Sequence, residues 1–129
     1  MLLKSGAKHL VQCSRSGGGD SQQTKKFDQL RSQYNAEIIV KKCDVSNSNQ
    51  IRGLLADIRS DMPPLRGIIH GAMVLQDEYL HSQTDKSFRA VLGPKALGAW
   101  LIHDDTLKNK DLIDFFIMLS SLNVVVGTK

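Results

Sequence analysis

The sequence predicts an α/β fold built on a parallel sheet, and three observations carry that prediction. Short apolar runs of strand length alternate with longer segments of helical period, in the order strand, helix, strand, helix, strand, helix, strand. The run at 65–75, LRGIIHGAMVL, holds Leu65, Ile68 and Ile69 together without polar alternation, as in a central strand buried on both faces. It ends in His70-Gly71-Ala72, small residues that let backbone approach a ligand, and ligands of open α/β sheets sit beyond the carboxyl ends of the strands.

In chain order, residues 2–5 read as a last helical turn stopped by Gly6. Residues 9–13, HLVQC, form a short strand, and SRSGGG at 14–19 follows as a turn. Its hydroxyls, its arginine and the helix start behind it suit an anion; a plain flexible loop suits the same letters. Residues 21–34 are helical in pattern, with Phe27, Leu30 and Tyr34 on one face. Ile38, Ile39 and Val40 mark the next strand over 36–43, closed by Asp44-Val45-Ser46-Asn47. Ser46 or Asn47 caps a helix over 48–61 with apolar positions Ile51, Leu54, Leu55 and Ile58. Pro63-Pro64 ends it, and the 65–75 run follows. Residues 74–84 form a loop or short helical piece. A longer helix over 85–103 carries Phe88, Val91, Leu92, Leu97, Trp100 and Leu101, with a kink at Gly93-Pro94. Residues 104–110 read as a polar turn, and 112–119 as the last strand, with Ser120-Ser121 at its carboxyl end. Right-handed βαβ crossovers accommodate this order. A Rossmann-like sheet is the leading arrangement, and a flavodoxin-like sheet is the alternative.

The length of 129 residues allows one domain. The net charge of +4 is mild, and the paired lysines Lys25-Lys26 and Lys41-Lys42 read as solvated surface. Aromatic residues are 5%, too few for a base-stacking platform, so nucleic acid is not an expected partner. No run approaches the ~18 apolar residues of a membrane span, and the first ten residues lack a signal-peptide core. A cytoplasmic chain is the expectation. Cys13 and Cys43 each end a strand and are expected as buried free thiols.

The blocks GAKHLVQCSRSG, KKCDVSN, PPLRGIIHGAMVL, VLGPKALGAW and DFFIMLSS together resemble the ketoreductase domain of polyketide and fatty-acid synthases. The phrasing is most similar to the fungal highly reducing polyketide synthases, within the short-chain dehydrogenase/reductase superfamily. The resemblance implies a Rossmann fold that binds NADPH. It implies reduction of a β-ketoacyl thioester, carried on an acyl carrier protein, to the β-hydroxyacyl thioester, beside neighbouring synthase domains. Arg15 then corresponds to the arginine that meets the 2′-phosphate of NADPH, flanked by Ser14 and Ser16. Asp44 and Val45 correspond to the pair beside the adenine, and His70, Gly71 and Ala72 to the block passing the cofactor ribose. Lys95 corresponds to the active-site lysine, and Ser121 to the serine that hydrogen-bonds the substrate carbonyl. No metal is implied.

The departures are as informative. Met73 stands where the family often has glycine. No GxGxxG turn occurs in the 129 residues, and neither tyrosine, Tyr34 or Tyr79, fits the family's catalytic Tyr-x-x-x-Asn pattern. Residues 1–129 therefore read as one partial ketoreductase domain, an internal fragment expected to be inactive alone. In Rossmann order 3-2-1-4-5 the strand at 9–13 and the strand at 65–75 flank a first strand that this sequence does not supply. Either those flanking strands pair directly or their inner edges stay open, with poor stability in isolation. A non-catalytic structural Rossmann module and a flavodoxin-like binding module are the competing readings.

Overall fold

The computed structural model describes residues 2–18, 21–76 and 79–121, and in the helical turn at Leu80 the backbone alone. After a 3₁₀ turn at Leu2–Ser5, Gly6 takes φ 95°, a left-handed conformation that favours glycine. Strand β1 (His9–Ser14), helix α1 (Ser21–Tyr34), strand β2 (Glu37–Lys42), helix α2 (Ser48–Asp61) and strand β3 (Gly67–His70) follow. Helix α3 (Asp85–Leu92), a π-helical turn (Gly93–Leu97), helix α4 (Gly98–Lys108) and strand β4 (Phe115–Met118) complete the order. The predicted alternation is present throughout the described residues.

Each helix start has a local cause. Asn47 caps α2 by accepting from the N–H groups of Asn49 and Gln50 at 3.0 and 3.2 Å, which resolves the choice between Ser46 and Asn47. Thr84 caps α3 in a capping box with the buried Ser87. The interruption at Gly93-Pro94 takes the form of a π-turn. Pro94 has no N–H to give the preceding turn, and Gly98 N–H bonds back to the Gly93 carbonyl five residues earlier.

Residues 104–110 do not form the expected polar turn. Helix α4 runs to Lys108 because its polar positions are paired: Lys108 with Asp104 at 2.6 Å, and Asp105 with Arg59 of α2 at 2.6 Å. Arg59 also grips Asp111 at 2.6 Å, which ties α2 to both ends of the connection into β4. These bonds, Asp111 foremost, raise the guanidinium pKa further above its already high value.

The core is the α2–α4 interface. Cys43, Ile51, Leu55, Ile58 and Ile102 are buried together, with Val11, Val45, Ile68 and Phe116 packed against them. Each such aliphatic side chain contributes about 1.5–3 kcal/mol on burial.

The sheet is two parallel pairs, β1 with β2 (His9 opposite Glu37) and β3 with β4 (Gly67 opposite Phe115). β1 and β3 do not pair, so of the two expected outcomes the open inner edges are the one observed. This corrects the reading of β3 as buried on both faces: Ile68 packs on the core, whereas Ile69, on the opposite face, is 46% exposed. The last strand is likewise shorter than its apolar run, and Ile117 and Met118 are exposed. Cys43 is buried as expected, but Cys13 is exposed, and both are free thiols. Among the described residues no helix is long and apolar enough to cross a membrane.

Candidate active-site cleft

The open edges of β1 and β3 bound a cleft of about 970 Å³. Apolar side chains such as Leu10, Val11, Ile68 and Ile69 line its middle, with Lys8, His9 and Arg66 toward the strands' amino ends. Ser14, Arg15, Asp44, Val45, His70, Gly71 and Ala72 all line it. The carboxyl ends of β2 and β3 lie on one side, because Gly98 sits against both Val45 and His70. A Cβ built there would meet Val45 Cγ2 at 3.0 Å and His70 Cε1 at 3.3 Å. Seven of the eight cofactor-binding candidates from sequence therefore share one rim; Ser16 lies outside the lining.

At the end of β1 the chain folds back in a tight turn. Gly17 N–H donates to the Ser14 carbonyl at 3.2 Å, and Ser14 Oγ donates to the Gly17 carbonyl at 2.7 Å. Gly17 takes φ 79° and lies against Lys42, so a side chain there would be both strained and crowded. The turn presents Arg15 and Ser16 as exposed residues. Opposite it, Asp44 accepts from Ser46 Oγ at 2.6 Å and Ser46 N–H at 2.9 Å. Those bonds, aided by the positive charge of Arg15, hold its carboxyl below the usual carboxylate range. The Asp44 N–H is itself committed to Gln50 Oε1 at 2.7 Å. Gln50 was not singled out by sequence, and Ser46 only as a candidate helix cap; the Asp-x-Ser spacing of an Asx turn was the available signal for its bond to Asp44.

The His70 side chain turns toward the π-turn. The ring is 5% exposed, and its Nε2–H donates to the carbonyls of Pro94 and Lys95 at 3.0 and 3.1 Å. The imidazole thus clamps the π-turn. Lys95, carried on that turn, reaches β4, where its ammonium donates to the Leu119 carbonyl at 2.7 Å. That carbonyl lies two residues before Ser121, so Lys95 and the segment bearing Ser121 meet at the end of β4. Neither Lys95 nor Ser121 lines the cleft itself. Of the two tyrosines, Tyr34 ends α1 and Tyr79 is exposed and stacked on His81.

The comparisons place this arrangement. The α/β layout with two parallel strand pairs is that of a ketoreductase-type Rossmann fold. The chain belongs to the KR domain family, whose model matches residues 1–129. It is 37% identical over 127 residues to a squalestatin tetraketide synthase of Cochliobolus lunatus, covering 98% of this chain and 5% of that protein. It is 37% identical over 126 residues to a highly reducing polyketide synthase of Emericella nidulans, with the same coverage of 98% and 5%. Among solved structures it superposes on a ketoreductase domain from the bacillaene assembly line with a TM-score of 0.86 and 30% identity, covering 98% of this chain and 31% of that one. An N-terminal ketoreductase from the macrolactin assembly line gives a TM-score of 0.86 at 26% identity, covering 98% and 25%. The chain spans about 5% of the length of the curated relatives it matches.

Proposed function

We propose that these residues form the adenine-side half and part of the catalytic corner of an NADPH-dependent ketoreductase. Its substrate is a β-ketoacyl thioester on an acyl carrier protein, presented among the other domains of a cytoplasmic polyketide synthase. The observation that carries the reading is the shared rim: an exposed arginine, a carboxylate kept ionised and a close-approach His-Gly-Ala segment around one cleft.

The residues fit the cofactor in part. Arg15 supplies a fork for a phosphate ester on the turn after β1. Asp44, tied down by Ser46, gives the ribose and adenine end a fixed wall. Gly71 and Ala72 leave the rim low enough for a ribose to pass. NADPH, when bound, supplies the hydride. Lys95 keeps a cation at the end of β4, where it orients a ribose hydroxyl and favours a neighbouring acid's ionised form. Ser121 donates its hydroxyl proton in a hydrogen bond to the substrate carbonyl oxygen, which gains negative charge during reduction. The carbonyl's final proton needs a general acid, and neither Tyr34 nor Tyr79 occupies the family's position. The 129-residue chain alone therefore binds through its adenine half and does not turn over.

The test is nucleotide discrimination. Titrated with 2′,5′-ADP, the chain should show NMR shifts at 14–17 and 44–46, with at least about tenfold weaker binding of 5′-AMP. Arg15→Ala should remove the difference. Equal affinity for the two nucleotides in the parent chain would refute the assignment.

A further inference from the structure

We propose that Gln50 is a positioning residue for base recognition: from outside the cleft it fixes the backbone of Asp44, so that one carboxylate oxygen meets the base as a pure acceptor. Gln50 thereby sets a preference for a purine with an amino group at C6 over a 6-oxo purine. The inference rests on the nucleotide reading above and adds the residue that governs base choice.

The polar atoms of Asp44 can be accounted for one by one. Its N–H donates to Gln50 Oε1 at 2.7 Å. Its carbonyl accepts from Asn47 N–H at 2.9 Å. Oδ1 takes both bonds from Ser46, the hydroxyl at 2.6 Å and the N–H at 2.9 Å. Among the described residues Oδ2 has no partner, and Asp44 lines the cleft. The Ser46 bonds also hold the carboxyl below the usual carboxylate range, so it stays ionised. An ionised carboxylate accepts hydrogen bonds and donates none. A base that places an amino group against Oδ2 completes the set. A 6-oxo purine places oxygen against oxygen there, and neither atom recovers the bond it had with water.

The placement of Gln50 separates this role from helix capping. It is the third residue of α2, where a glutamine ordinarily turns back to the N–H of the capping residue. Here that N–H, of Asn47, is already taken by the Asp44 carbonyl. The helix start is served by Asn47 Oδ1, which accepts from the N–H groups of Asn49 and Gln50. The Gln50 side chain reaches past the cap to Asp44 instead. Gln50 is exposed and is not part of the cleft lining, so it acts on a bound base only through Asp44. Without its oxygen the peptide group that carries Asp44 loses that anchor, while both Ser46 bonds to the carboxylate remain.

The probes are 2′,5′-ADP and inosine 2′,5′-bisphosphate, which share both phosphates and differ in the base edge, titrated into the 129-residue chain by NMR. The parent should bind the amino purine at least about tenfold tighter. Gln50→Met keeps the length of the side chain and removes the acceptor. It should bring that ratio below about threefold, shift the Asp44 amide resonance upfield and leave the ratio of 2′,5′-ADP to 5′-AMP unchanged. Gln50→Ala, a strong helix former, should behave in the same way. Gln50→Glu keeps an acceptor at the same reach and should retain the base preference. Full base preference in Gln50→Met or Gln50→Ala would overturn the proposal. Loss of the phosphate ratio along with the base ratio, or unfolding of both variants, would make the bond a purely structural one and overturn it as well. A parent that prefers 2′,5′-ADP to 5′-AMP but is indifferent to the base refutes the role of Gln50 alone. A parent with neither preference refutes the nucleotide reading, and this proposal with it.

Discussion

His70 and Lys95 are joined through a closed ring of hydrogen bonds. The His70 Nε2–H donates to the Lys95 carbonyl at 3.1 Å, and the Lys95 ammonium donates to the Leu119 carbonyl at 2.7 Å. The Leu119 N–H then returns to the His70 carbonyl at 3.0 Å. Three elements meet in this ring: the end of β3, the π-turn and the end of β4. The buried imidazole supplies a donor to two successive carbonyls of the π-turn.

Replacing His70 should therefore loosen the π-turn before it loosens anything else. His70→Phe keeps a ring in place and removes the donor, leaving the Pro94 and Lys95 carbonyls without it. We expect a loss of about 1–3 kcal/mol, seen in hydrogen exchange as faster amides over 97–99 with α1 unchanged. Uniform acceleration across the chain would show that the ring is not a local clamp.

Gly98→Ala sets two effects against each other. Alanine gains about 1 kcal/mol of helix propensity over glycine. Its Cβ, however, would stand 3.0 Å from Val45 Cγ2 and 3.2 Å from the Val45 carbonyl. The methyl group can rotate aside, but the carbonyl belongs to backbone. Overpacking of this kind costs about 1–3 kcal/mol, so the net expectation is destabilisation by about 1 kcal/mol in a denaturant midpoint. A stabilised variant would mean that Val45 yields without strain.

Arg59 is the hinge pin between α2 and the run into β4. It is 27% exposed, and Asp105 and Asp111 are each 13% exposed. Arg59→Met removes the cation and leaves two mostly buried carboxylates facing one another. The expected loss is about 2–4 kcal/mol, somewhat below that of a fully buried pair. Arg59→Lys keeps the charge but not the two-pronged fork, and should recover about half. Chemical denaturation of the three proteins checks the order.

Much of the fold was legible because its signals are local. The 3.6-residue period over 21–34 and 48–61 gives α1 and α2 to the residue, and Asn47 is a strong cap in any context. What misled were signals that depend on neighbours. The polarity of 104–108 looks like a turn until Arg59, 46 residues earlier in sequence than Asp105, is placed beside it. The apolar run around Ile69 looks buried because hydrophobicity reports what a strand tolerates, not which partners cover it. The cleft rim was readable residue by residue through family resemblance. The clamp by His70 was not, since nothing in HGAM indicates a bond to a turn 24 residues away.

The acid limb of stability should contain an Asp44 component. Its carboxyl is held below the usual range, by the Ser46 hydroxyl first and the Ser46 N–H second. A lowered pKa in the folded chain favours folding when the group is ionised. The contribution is complete above the ordinary aspartate value of about 3.9, and is lost as pH falls through the lower folded value. Asp44→Asn should therefore be less stable than the parent at pH 6, with the gap narrowing by pH 3. A gap independent of pH would remove Asp44 from the acid limb.

The two thiols should separate cleanly in reactivity. Burial pushes Cys43 up to about 11, with smaller contributions from Cys13 and from the charge on Asp44. At pH 8 only about one Cys43 in a thousand is then a thiolate, the species that reacts. Its side chain is also closed to reagents, at 2% exposure, whereas Cys13 is exposed. Iodoacetamide at pH 8 should modify Cys13 first and leave Cys43 untouched until urea opens the α2–α4 core. The Cys43 rate then measures the opening of that core, since Cys43 packs directly on Ile51 and Ile102. His70→Phe, which loosens only the π-turn, should leave this rate nearly unchanged, and Arg59→Met should raise it. Equal labelling of both cysteines in buffer would mean that the core around Cys43 opens freely, and that the pairing of α2 with α4 does not hold in solution.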